Sequence, residues 1–344
     1  MLRLGVLGCG AIGTFHARLV AQKGDVALAG LCDTDGARAA ALATALGTRA
    51  WDDPARFLAE AGLDAVVIAT PDDRHVEHAT LAARAGVAML IEKPVAPTRA
   101  GVEAIAGLAG RAGVPVMAGH VERFEPGSAL LVEAVRAGVC GTVSAIAARR
   151  QFGAADAPRF AGRSTTARVL LVHDADLVRW LHAAPLESVV ALAARGPVHR
   201  ATGLDDHIVT TVRFSDGAVA VIESGWTLPD SAARPLIAAG WAPSGNNRLE
   251  LFGTEGMLAN DMGLRAAQLS AISGADGFHV AALRHQPEVH GRLVGALRDQ
   301  LDHFVDRLRD GQPPVAGLDD ARRALELVEA AERSLATGAV VRLR

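Results

Sequence analysis

The stretch Leu2-Arg3-Leu4-Gly5-Val6-Leu7-Gly8-Cys9-Gly10-Ala11-Ile12-Gly13 decides the fold. An apolar run of strand length passes directly into glycines spaced G-x-G-x-x-G, and apolar residues then recur at helical intervals. Each glycine has its own reason in such a turn. The first permits a tight bend, the second lets a pyrophosphate approach the backbone, and the third lets helix and strand pack closely. The N–H groups that open the helix at Ala11 and Ile12 then face the phosphates with the positive end of the helix dipole. The pattern predicts a dinucleotide cofactor held by Gly8, Gly10, Ala11 and Ile12.

Working outward, strands are expected at 2–7, 26–32, 64–69, 87–91 and 115–118, with a shorter one near 48–51. Helices are expected at 11–22, 36–46, 54–61, 74–85 and 98–112. This alternation is the α/β signature of a doubly wound parallel sheet. Such sheets bind ligands beyond the carboxyl ends of their strands, which collects Gly8, Asp33, Thr70-Pro71, Glu92-Lys93-Pro94 and Gly119-His120 on one rim. Asp33, 25 residues past Gly8, suits a ribose hydroxyl acceptor and would repel a 2′-phosphate. NAD is therefore favoured, with NADP left open by nearby Arg38. Asp33 can also be read as a helix cap, although Asp35 suits that role better.

Past residue 121 the pattern changes to longer alternating runs at 142–151, 186–194, 206–214, 218–225 and 247–252, which predict an antiparallel sheet in an α+β arrangement. Ser215-Asp216-Gly217 reads as a tight hairpin connection. One helix at 173–183 interrupts the sheet, and two more, 291–309 and 319–336, close the chain. Segments 228–247 and 270–290 lack periodicity and read as long loops.

At 344 residues, half of them hydrophobic, with mean hydropathy +0.22, the chain suits two domains. The net charge of −3 argues against a nucleic-acid partner or an anionic membrane. No apolar run reaches the roughly 18 residues of a membrane helix, and the early glycines argue against a signal peptide. Cys9, Cys32 and Cys140 are too dispersed for a disulfide framework or a zinc site and fit a reducing cytoplasm. His285, Glu288 and His290 lack diagnostic metal spacing, so no metal is expected. Nucleophile-elbow, Walker-A and His-Glu-x-x-His motifs are missing from the sequence.

Two compositional facts narrow the chemistry. There is no tyrosine, so a phenolic proton donor is excluded. Of 35 basic residues only Lys23 and Lys93 are lysine. A chain so rich in arginine is expected to keep lysine where an amine must titrate, which singles out Lys93 at a strand end, held extended by Pro94. The helix expected at 173 opens with His173-Asp174-Ala175-Asp176. The aspartates there complement the dipole, and the dipole disfavours a cationic His173, leaving it able to take a proton. A core or capping histidine is the other reading.

On Gly8 to Gly13, Ala69-Thr70-Pro71 to His75, Glu92-Lys93-Pro94, Gly119-His120-Val121-Glu122-Arg123-Phe124, the His173-Asp174-x-Asp176 helix, Glu223-Ser224-Gly225-Trp226 and Leu251 to Gly256, the chain resembles the glucose-fructose oxidoreductase and inositol dehydrogenase (Gfo/Idh/MocA) superfamily. The resemblance spans nearly its whole length. It implies a Rossmann domain over 1–121, followed over 122–318 by an open-faced antiparallel sheet domain for substrate binding and oligomerisation. It also implies that the last helix, 319–336, returns to the first domain. It further implies hydride transfer between a nicotinamide and a secondary alcohol or ketone of a sugar or cyclic polyol, and a homodimer or homotetramer is expected because the outer face of the second sheet must be covered. Lys93 and His173 would then be the catalytic proton-transfer groups. Thr70, Pro71, His75, Glu92 and Lys93 join the cofactor site, and His120, Glu122, Arg123, Asp174, Asp176 and Trp226 the substrate site. Two positions depart from the family pattern. Val169 stands where many members carry an aspartate four residues before the histidine, and Glu125 where asparagine often precedes Pro126. Arg123, Arg163 and Arg168 hint at an acid or phosphate group on the substrate. A non-catalytic NAD-binding regulator and a cofactor-retaining epimerase or hydrolase stay open as alternatives.

Overall fold

The apolar runs of the first 120 residues form a single sheet in the computed structural model, which describes residues 1–228, 246–261, 269–272, 278–282, 288–289 and 291–343. In chain order the elements are β1 (Leu2–Leu7), α1 (Ala11–Ala21), β2 (Val26–Cys32), α2 (Gly36–Leu46), β3 (Ala50–Trp51), α3 (Pro54–Glu60), β4 (Ala65–Ile68), α4 (His75–Arg84), β5 (Ala88–Glu92), α5 (Arg99–Ala112) and β6 (Val116–Gly119). The strands lie in the order β3-β2-β1-β4-β5-β6, every pair parallel. Every residue of β4 and β5 is buried, as strands covered on both faces require. The order reverses between β1 and β4, the switch point at which such sheets bind ligands.

The following elements are α6 (Pro126–Arg136), β7 (Val143–Gly153), α7 (Val172–Leu181), β8 (Leu186–Ala194), α8 (Pro197–Thr202), β9 (His207–Phe214), β10 (Val219–Leu228), β11 (Asn246–Gly253) and β12 (Met257–Asp261). The short strands β13 (Leu269–Ile272), β14 (Phe278–Ala282), β15 (Glu288–Val289) and β16 (Arg292–Leu293) come next, then α9 (Ala296–Asp310), α10 (Leu318–Thr337) and β17 (Val341–Arg342). The chain divides into two compact units, one of residues 1–121 and 288–322, the other of residues 122–287 and 323–344.

Several expectations need correction here. The second sheet, β12-β11-β7-β10-β9-β8-β17, is mixed and not purely antiparallel, because β10 runs parallel to β7. The two are separated by α7, β8, α8 and β9, a crossover long enough to return the chain in the same direction. Helices α6 and α8 were not foreseen, although each starts with proline in its first turn, a position that proline favours. The segment returning to the first unit carries α9, whereas the last helix from Arg323 onward belongs to the second. There Ser334 accepts the Ala191 N–H at 2.9 Å, and Arg168 pairs with Glu332 at 3.0 Å. β13 and β14 pair antiparallel in a region where only a loop was expected. The other loop, 228–247, falls mostly on residues 229–245, outside the described residues, as do His285 and His290.

The hairpin at Ser215-Asp216-Gly217 forms as expected, with Gly217 at φ +93° and the Asp216 carboxylate accepting the Ala218 N–H at 3.1 Å. One face of the second sheet is buried through Ile146, Ala148, Ile208, Val212, Ala220, Ile222, Leu249 and Leu251. The opposite face leaves Arg149, Thr211, Val219, Val221 and Phe252 exposed.

Asp206 pins the start of α8 by accepting the N–H groups of Gly196, Val198 and His199 at 2.7, 3.0 and 2.8 Å. Burial raises its pKa, but the three donors outweigh that and hold the carboxyl below its usual range. A depressed folded pKa means that the stabilisation is complete above the unfolded value of about 3.9 and fades as pH falls through the folded one. Asp206→Asn is therefore expected to lower the urea midpoint at pH 6, by a margin that shrinks as the pH is taken below the unfolded value.

Candidate active site

The first unit carries the strand-end rim. Gly8, at φ +97°, holds a conformation that side chains rarely adopt, and its N–H donates to the Cys32 carbonyl at 2.7 Å. A Cβ at Gly8 would meet the Ala69 carbonyl oxygen at 2.6 Å, and one at Gly13 would run into the Gly8 carbonyl, so both glycines are fixed by backbone packing. A Cβ at Gly10 meets nothing within 4 Å. The open space lies where the backbone has to approach a pyrophosphate, so these residues fit a bound dinucleotide. Gly10 caps α1 without a side-chain hydrogen bond, and no acidic residue occupies the first turn. Gly10→Val is expected to leave the unfolding midpoint in place and to weaken NADH binding by more than about tenfold, roughly 1.4 kcal/mol, as read by fluorescence titration.

Asp33 closes β2 with a carboxylate that accepts the Cys9 N–H at 2.7 Å and the Asp35 N–H at 2.9 Å, and Arg38 lies 3.3 Å away. Asp35, as expected, caps α2. Beyond β4, the Thr70 hydroxyl lies 2.9 Å from His78 Nδ1, while Pro71 is exposed. Burial lowers the pKa of His78 and so favours its neutral ring. His75 is 1% exposed, with Nδ1 2.9 Å from the Pro94 carbonyl oxygen and Nε2 2.8 Å from that of Thr70. Both ring nitrogens are thus turned to the backbone, which makes His75 a tie between two loops and not the direct cofactor contact expected of it.

Glu92 and Lys93 leave β5 with the carboxylate buried and the lysine half-buried. Glu92 Oε2 accepts the Lys93 backbone N–H at 3.2 Å, and Oε1 lies 2.8 Å from Nε2 of fully buried His16. His16 was missed, since only its place one turn beyond Gly13 could have suggested it. His120, at the end of β6, is buried. Lys23, the other lysine, pairs with Asp302 at 2.8 Å, so an ion pair and not titration accounts for it.

The second unit gathers the charged residues around α7. Arg150, on β7 and fully buried, forks onto Asp174 at 2.9 and 3.0 Å and donates to Glu122 at 2.7 Å. Burial disfavours its charged form, but the two carboxylates outweigh that and raise its pKa above the ordinary arginine value. Arg123 forks onto Asp176 at 2.8 and 2.6 Å and lies 5.0 Å from the Trp180 ring. The aspartates thus answer arginines and not a helix dipole. Nor does His173 stand at a helix start, because a π-helical turn, Ala167–Leu171, runs straight into α7. His173 is 7% exposed.

Val169 lies in an apolar cluster with Ala157, Leu170, Val198, Leu204 and Trp226. Trp226 is 1% exposed, stacks on Phe160 at 5.7 Å and donates its N–H to Thr166. Its ring is filled on all sides by the core, so the expected substrate contact is replaced by a packing role. Arg168 pairs with Glu332, which answers its charge, while Arg163 donates one N–H to the neutral Arg159 carbonyl. Among the described residues no group of three or more potential ligands is placed to hold a metal.

A doubly wound sheet with this glycine turn and strand-end rim defines a dinucleotide-binding protein. Residues 2–120 match the oxidoreductase family with an NAD-binding Rossmann fold, and residues 129–259 match the GFO/IDH/MocA C-terminal domain. The chain belongs to the GFO/IDH/MocA family of NAD-binding oxidoreductases. It is 28% identical to scyllo-inositol 2-dehydrogenase (NAD(+)) of Bacillus subtilis, over 99% of this chain and 96% of that protein. It is 30% identical to the myo-inositol dehydrogenase Hyg17 of Streptomyces leeuwenhoekii, over 98% and 99%. A solved myo-inositol dehydrogenase from Corynebacterium glutamicum superposes with a TM-score of 0.81 at 25% identity, covering 100% of this chain and 99% of that one.

Proposed function

We propose that this chain oxidises a secondary alcohol of a cyclic polyol of the inositol class with NAD, and that Lys93 and His173 handle the hydroxyl proton. The observation that carries this reading is the pairing, on one strand-end rim, of a glycine turn open at Gly10 with a lysine whose main chain is held by the Glu92 carboxylate. A bound nicotinamide supplies the hydride acceptor. Gly8, Gly10 and the first turn of α1 would hold the phosphates, and Asp33 would accept from the ribose hydroxyls. The Lys93 amine takes a proton at Nζ during oxidation and returns it during ketone reduction, and His173 offers a second proton acceptor. Each Asp176 oxygen accepts one N–H from Arg123, which leaves lone pairs that can receive hydroxyl protons.

The polyol class is drawn from the relatives, and the assay is direct. NADH absorbance is followed while the purified chain meets NAD and a panel of inositols, pyranoses and their keto forms. Turnover of at least one cyclic polyol is expected. Val169 in its apolar cluster favours a second reading, a regulator that binds NADH without chemistry. Fluorescence quenching with no turnover across the panel would select it. Cofactor retained through purification, with turnover but no net absorbance change, would select an epimerase or hydrolase cycle.

We also propose a homodimer or homotetramer in the cytoplasm. Leu192, Val219, Val221 and Phe252 on the outward face of the second sheet are 36% to 71% exposed and suit a symmetric partner. Three buried free cysteines suit a reducing compartment. Among the described residues no helix is long and apolar enough to cross a membrane. A monomeric mass by light scattering would remove the oligomer.

A further inference from the structure

We propose that His16 is a positioning residue for Lys93, acting through Glu92, an inference that rests on the reading of Lys93 as a proton-transfer group. His16 is fully buried in α1, and its Nε2 lies 2.8 Å from Glu92 Oε1. A carboxylate oxygen only accepts, so Nε2 carries the shared hydrogen. The second oxygen accepts the Lys93 backbone N–H. One carboxylate is thus tied at one end to the helix that follows the glycine turn and at the other to the main chain of the candidate base.

The surrounding backbone is fixed from two further directions. His75 faces the Pro94 carbonyl, just past Lys93. A Cβ at Gly119 would meet Glu92 Cα at 2.8 Å and Lys93 N at 3.1 Å, so β6 presses directly on this dipeptide. Of these neighbours, His16 is the one that reaches the Glu92 side chain. Burial opposes ionisation of Glu92, but the hydrogen bond from His16 and the charges of His16 and Lys93 outweigh it and hold the carboxyl below its usual range. An anion is therefore kept beside the amine at a set place. With the His16 donor gone, Oε1 is left to the Lys93 ammonium, whose charge already acts on this carboxyl, and favours its protonated form.

The chain's composition makes this measurable. Lys23→Arg preserves the Asp302 pair and leaves Lys93 as the sole lysine, so ¹³C-labelled lysine reports one side-chain titration by NMR without added cofactor. In that background His16→Leu is expected to raise the Lys93 midpoint by about one pH unit, and His16→Gln, which keeps a donor near the Nε2 position, to restore it. The limb along which polyol oxidation rises with pH should move upward with it. An unmoved midpoint in folded His16→Leu overturns the proposal. Should that variant fail to fold, Glu92→Gln removes the charge and is expected to lower the midpoint, and no change there overturns the proposal equally. Lys93→Met with full turnover overturns the underlying reading, whereas inactive Lys93→Met with an unmoved His16→Leu midpoint overturns the positioning role alone.

Discussion

Lys93→Ala is expected to lower polyol turnover by about 10²- to 10⁴-fold, the usual contribution of a general acid–base group, while NADH binding followed by fluorescence stays intact. Two facts support so large an effect. There is no tyrosine to take over the proton, and the Lys93 backbone N–H is fastened to Glu92, so a replacement donor would have to reach the same place from another element. Lys93→Arg should fail almost as badly, because a guanidinium keeps the charge but does not release its proton in the working range. Retained turnover in either variant would remove the amine from the mechanism. Loss of NADH binding together with turnover would instead reassign Lys93 to holding the cofactor.

Arg150→Met should be the most damaging single change to the second unit, at about 3–5 kcal/mol. Arg150 is fully buried and is the countercharge of Asp174, which is itself fully buried, and of Glu122. Removing it leaves two carboxylates in the interior facing each other across the vacated space. The cost is that of the stranded charges and not of the pair itself, so Arg150→Met combined with Asp174→Leu and Glu122→Gln should recover most of the loss. Urea denaturation of the single and combined variants tests this. A single variant within about 1 kcal/mol of the native chain would show that the cluster is not needed for stability.

The first unit was legible because its elements answer to local rules. Runs such as Ala65–Ile68 are too short for a helix and are flanked by glycine or proline, so they read as buried strands, and expected and observed boundaries agree within a residue or two. The second unit was less so, for reasons equally physical. Whether β10 lies parallel or antiparallel to β7 depends on a crossover path that neither strand encodes. The π-helical turn before Val172 leaves no mark in residue spacing, which is why His173 was read as a helix start. The site partners were harder still. Arg123 and Asp176 stand 53 residues apart, and His16 and Glu92 stand 76 apart. Asp174 and Asp176 were read as substrate contacts at a helix start, and the guanidiniums that pair with them, from other elements, have no local signature.

The buried thiols have a practical consequence. Burial, reinforced by the neighbouring Asp33 charge, pushes Cys9 up to about 11, and burial pushes Cys32 up to about 12. At neutral pH both remain in the unreactive thiol form at the edge of the glycine turn. Maleimide reagents and dissolved oxygen therefore find almost no nucleophilic sulfur there, and preparations should tolerate storage in air without added reductant.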